Sequence, residues 1–141
     1  DKREVLFAGQ EHFRQVFLDG VAAAPEDASA LDAVASALQA AAAFFPDERR
    51  AHSRLRQAII LANPGLQERE LLKMASLSEG IAGALRGRGV PEPRATLAAE
   101  TGVTVFGVAF RRWLADDEGR SLGAVETDTL SDLRALALDE S

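Results

Sequence analysis

Two histidines, a run of arginines and one serine set in an apolar stripe are the residues here whose chemistry asks for a use. A metal site on a helix wants a second ligand three or four residues along the same face. His12 has Gln15 and Val16 at those positions and His52 has Leu55 and Arg56, so neither histidine offers one. Cysteine is absent, which removes thiolate ligands and disulfides together. No Gly-x-Ser-x-Gly turn, no phosphate-binding glycine loop and no strand to carry either is legible, so no enzyme is indicated and no cofactor is implied. The stretch DERRAHSRLR gathers Arg49, Arg50, Arg54 and Arg56. With Asp47 and Glu48 as local partners it suits a solvated basic face; the sharper alternative is a clamp for a ligand carboxylate, with Arg54 as its candidate. Ser78 falls in the middle of the stripe Met74, Leu77, Ile81 and Leu85. Its hydroxyl either bonds back to a carbonyl of its own helix or is offered to a ligand.

The elements that position these residues are helical throughout. No segment alternates with period two for long enough to argue a strand, and proline and glycine divide the chain into six helices. The first runs from about Lys2 to Ala23, with Asp1 as a possible cap, and stops at Pro25. The second, about Asp27 to Phe44, has Asp27 as its cap and Leu31, Val34, Leu38 and Phe45 on one stripe. Pro46 and Asp47 restart the chain into a third helix ending at Asn63. Pro64 opens a fourth that closes on Gly87 and Gly89, the order expected of a start and a stop. Pro91 and Pro93 lead a fifth to about Asp116, and a sixth runs from Ser121 to about Leu138.

The fifth helix is apolar almost all round. At 100° per residue Ala99, Val103, Phe106 and Phe110 share one face, while Ala98, Gly102, Val105 and Ala109 share the next. Such a helix must be buried on more than one side. In a chain of this length that means its own core and a second subunit, or a deep place in a monomer. Leu122, Val125, Thr129, Leu133 and Leu136 form a long stripe on the sixth helix that suits the same interface.

At 141 residues the chain is the size of one domain. Its net charge of −6 lacks the basic footprint of a nucleic-acid face. Its longest apolar stretch, LQAAAAFF, is too short to cross a bilayer. A cytoplasmic location is the expectation.

The order of these features resembles the C-terminal half of the tetracycline-repressor (TetR) family of transcriptional regulators. The opening DKREVLF is similar to the stretch that follows the family's helix-turn-helix and begins its long connecting helix. RLRQAIILANPGLQERELLKMASLSEGIAGALRGRG, with its joint at Asn63, Pro64 and Leu66 and its close from Arg86 to Gly89, is similar to the sixth and seventh helices. ATLAAETGVTVFGVAFRRWLAD, with Trp113 late in it, resembles the eighth. The resemblance implies an all-α, six-helix ligand-binding and dimerisation domain, with a DNA-binding head upstream of Asp1 that carries the contacts to operator DNA. It implies a homodimer whose last two helices pair into a four-helix bundle, through Ala98, Gly102, Val105, Ala109, Leu122, Val125, Thr129 and Leu133. It also implies a cavity between the first, third, fourth and fifth helices for a small-molecule effector, uncharged or amphipathic. Phe13, Phe17, Ile59, Met74, Leu77, Phe106 and Phe110 are its candidate lining, with Ser78 and Arg54 as candidate polar contacts. The competing expectation is a stand-alone helical interaction module in which the same rings fill an ordinary core.

Overall fold

The computed structural model describes residues 10–139, and among them the regular structure is helical. Six α-helices follow one another: α1 (Gln10–Ala22), α2 (Ala30–Ala42), α3 (Arg50–Leu61), α4 (Pro64–Gly87), α5 (Arg94–Ala115) and α6 (Leu122–Leu138). A single 3₁₀ turn, Asp47–Arg49, leads into α3. The expected start of the first helix, including a cap at Asp1, lies outside the described residues.

Each helix starts and stops where its capping chemistry dictates. Asp27 does not cap α2, because the Ala28 N–H pairs with the Pro25 carbonyl at 3.0 Å and residues 25–28 form a turn. The cap is Ser29, whose Oγ accepts from the Asp32 N–H at 3.1 Å. Asn63 Oδ1 accepts from the Leu66 N–H at 3.2 Å, and Pro64, which has no N–H to leave orphaned, occupies the first turn of α4. At the other end Gly89 has φ +92°, a conformation open to glycine, and its N–H reaches the Arg86 carbonyl at 2.9 Å. Ser121 Oγ caps α6 through the Ala124 N–H at 3.1 Å. In the loop before it, Asp116 Oδ2 accepts from the Arg120 and Glu118 N–H groups at 3.0 and 3.1 Å. The Arg120 bond is the main reason that carboxyl is held below its usual range.

Arginines then tie the helix ends together. Arg88, at the end of α4, donates to the carbonyls of Val21, Ala24 and Pro25 at 3.2, 2.9 and 2.5 Å, fastening the end of α1. Arg50 donates to the Arg120 carbonyl and lies over the Trp113 ring, 5.1 Å from its centroid. Arg54 donates to the carbonyls of Leu114 and Asp116 at 2.6 and 3.1 Å, so it closes the last turn of α5.

The helix that is apolar all round is the centre of the molecule. α5 packs against α2, α3, α4 and α6 of the same chain. Ala95, Ala99, Val105, Phe106, Ala109 and Trp113 are buried along it. The second buried side that pointed to a partner subunit is therefore met by this chain's own helices. Gly102 faces α2: a Cβ there would come within 2.5 Å of Val34 Cγ1, so the two helices approach closely because that side chain is missing. Val105, Ala109, Leu122, Val125 and Thr129 are likewise buried within the single chain. Of the eight residues expected at a subunit interface, only Ala98 and Leu133 remain partly exposed.

Candidate functional site

Aromatic rings from three parts of the chain meet at one end of α5. Phe13 and Phe17 come from α1, Phe44 and Phe45 from the turn after α2, and Phe106, Phe110 and Trp113 from successive turns of α5. The turn exists because Phe44 and Phe45 close onto the carbonyls of Ala41 and Ala42 at 3.0 Å and Pro46 cannot continue the helix. Phe13 meets Phe17 edge-on at 5.1 Å and Phe106 at 5.5 Å between centroids. Phe45 meets Phe110 edge-on at 5.1 Å. Edge-on and offset contacts of this kind set each ring's angle as well as burying its area.

The cluster does not fill its space. A cavity of about 340 Å³ opens beside it, with Phe13, Phe45, Phe106, Phe110, Ile60 and Met74 as its apolar floor. Its polar wall comes from α3, α4 and α5 and includes Arg56, Gln57, Gln67, Glu70, Lys73 and Arg111. Arg56 Nη2 lies 3.3 Å from Glu70 Oε2, and Lys73 Nζ lies 3.7 Å from Glu70 Oε1. Lys73 Nζ also stands 5.3 Å from the centre of the Phe13 ring. Its side chain is only 14% exposed. That burial draws its ammonium below the ordinary lysine value; the Arg56 charge adds to the effect and the Glu70 carboxylate opposes it. One carboxylate is thus shared between two cations at the edge of an aromatic cavity, and the wall carries more positive than negative charge.

Four of the nine expected lining residues, Phe13, Met74, Phe106 and Phe110, are brought together here. Phe17 is wholly buried behind them, in edge-on contact with Phe106 at 5.5 Å, and Leu77 belongs to the core. Ile59 points outward, 37% exposed, and its neighbour Ile60 takes the place in the wall. Arg54 has the helix-closing role described above, and the arginine that α3 brings to the cavity is Arg56, about half a helical turn further on. Ser78 lines a separate, polar depression with Arg14, Glu79 and Arg86. Glu70 and Lys73 were not among the expected lining residues, because charged side chains on a helix suit its solvated face. The signal was Met74, one residue after Lys73 and already placed on the inner stripe.

Among the described residues no group of three or more His, Asp or Glu is placed to hold a metal ion. No described helix is long and apolar enough to cross a membrane. No curated protein matches the chain. Residues 28–137, from the turn before α2 almost to the end of α6, match the family model of the MftR C-terminal domain. The match takes in α2 to α6, five of the six described helices, and the chain belongs to the TetR family as a C-terminal domain of the MftR type.

Proposed function

We propose that this chain is the effector-sensing and dimerising body of a DNA-binding transcriptional repressor, and that its effector is an amphipathic molecule with an anionic end. The observation that carries the reading is the aromatic cavity walled by Arg56 and Lys73. Rings and a methionine accept varied apolar shapes, while the two cations around Glu70 favour a carboxylate or similar head at the wall. In this reading the head draws Arg56 and Lys73 away from Glu70. The coupling follows α1, which carries Phe13 at the cavity and Phe17 behind it, and whose N-terminal side leads toward the expected helix-turn-helix. An effector moves such a helix only by binding one arrangement better than the other; a tenfold loss of operator affinity needs about 1.4 kcal/mol of that difference. In this reading contact with operator DNA, in the cytoplasm, belongs to that upstream domain, since a net charge of −6 on this chain disfavours contact with phosphate.

Thermal shift separates the possibilities. Decanoate is expected to raise the melting temperature more than decanol or decylammonium, and Arg56→Gln is expected to remove most of the difference. Equal effects of the three amphiphiles on the native chain would show that the wall does not select charge.

Dimerisation is proposed through the outward sides of α5 and α6. Leu97 and Leu136 are 60% and 70% exposed there, and Leu133 and Ala98 are partly covered. Sedimentation equilibrium at micromolar concentration is expected to give a dimer, and Leu136→Glu combined with Leu97→Glu to give a folded monomer, because charge in an apolar seam costs more than it does in water. A monomeric native chain would contradict this.

A further inference from the structure

A second cavity is lined by a carboxyl group that none of the described residues engages. It lies between α2 and α6, measures about 280 Å³ and is lined by Ala35, Leu38, Gln39, Glu126, Leu130 and Arg134 among others. Glu126 is 1% exposed, and neither carboxyl oxygen has a hydrogen-bond partner among the described residues. Buried carboxyl groups are nearly always paired, and one left without a partner beside a cavity marks where a donor can enter.

The neighbouring charges are already spent on one another. Arg134 pairs with Asp32 of α2 at 2.8 Å, Arg120 with Asp128 at 2.6 Å, and Arg112 of α5 meets Thr129 Oγ1 and Asp132 at 2.8 and 3.5 Å. None forms an ion pair with Glu126 among the described residues. Gln39 donates its amide to the Gly123 carbonyl and Thr127 Oγ1, both at 3.1 Å, so its N–H groups are engaged within the fold.

We propose that the α2–α6 cavity is a binding site for a small organic ammonium ion with an apolar body, its nitrogen paired with Glu126 and its body against Ala35, Leu38 and Leu130. A single carboxylate in an apolar cleft suits one ammonium charge and provides too few ligands for a divalent metal. Burial pushes the Glu126 carboxyl up to about 8, so at pH 7 the group is protonated until the ammonium arrives. Binding therefore expels a proton: the carboxyl gives its proton to solvent, and the resulting carboxylate accepts from the ammonium.

The test uses 2-phenylethylammonium against the neutral 2-phenylethanol, by isothermal titration of this chain in two buffers of different ionisation enthalpy. The ammonium is expected to bind at least tenfold more tightly than the alcohol, releasing about one proton at pH 7. Glu126→Gln, which imitates the protonated group, is expected to abolish both the preference and the proton release. Ala35→Trp, which fills the cavity from α2 and leaves Glu126 in place, is expected to abolish binding, and it decides the matter if Glu126→Gln fails to fold. Absence of binding to the native chain, equal binding of the alcohol, or binding that survives Glu126→Gln or Ala35→Trp overturns the proposal. The aromatic cavity is untouched by both variants, so their response to decanoate is a separate result.

Discussion

Replacing Glu126 with methionine should make the chain more stable by about 3 kcal/mol at pH 7. The native carboxyl titrates at about 8, against 4.5 for the same group unhindered. Between those values the unfolded chain has lost the proton and the folded chain keeps it. The unfolded state then binds fewer protons, and stability falls as pH rises, by ~1.4 kcal/mol per pH unit. The group's contribution is thus complete below about pH 4.5, declines through neutrality and levels off above about pH 8. Methionine of similar size, buried against Leu38 and Leu130, has no such dependence. Urea unfolding of both proteins across pH 4–9 should show the gap widening with pH up to about 8. A constant gap would mean that Glu126 finds a partner on folding.

Phe106→Ala is expected to cost about 3–5 kcal/mol of stability and to abolish binding in the aromatic cavity. Phe106 is 5% exposed and touches Phe13, Phe17, Phe45 and Phe110, so its removal leaves four rings without a common neighbour. Because loss of fold and loss of binding coincide in this variant, Phe110→Trp supplies the contrast. Phe110 is only partly buried, and a larger ring there should reduce the cavity at a smaller cost in stability. Chemical denaturation and decanoate titration of the two proteins together separate packing from recognition.

Where a helix boundary was legible, its signal is local. Pro46, Pro64, Asn63 and Ser121 act on the backbone within a few residues, and the structure starts its helices beside them. What the aromatic cavity needed was rotational phase. Met74 of α4 and Phe106 and Phe110 of α5 stand beside the cavity, whereas Ile59 of α3 points away from it. One residue there turns a side chain by about 100°, which is the difference between Ile59 and Ile60. The same ambiguity put Arg54 where Arg56 stands.

The burial of α5 shows a different boundary of sequence reasoning. A helix apolar on all sides must be covered, but its residues do not say whether the cover belongs to the same chain. Here α2 lies over Gly102 and α6 supplies Val125 and Leu122, so the small-residue face serves internal packing. Glu126 escaped notice because a glutamate reads as surface. Its spacing, four residues after Leu122 and four before Leu130, put it on the inward side of α6 all along.

A crystal structure of the chain grown with decanoate decides whether the aromatic cavity receives an amphipathic anion. An extended chain of density is expected against Phe13, Phe106 and Phe110, with the carboxylate within hydrogen-bond distance of Arg56 or Lys73. A cavity closed by the rings themselves, with decanoate absent or bound only on the outer surface, would contradict it.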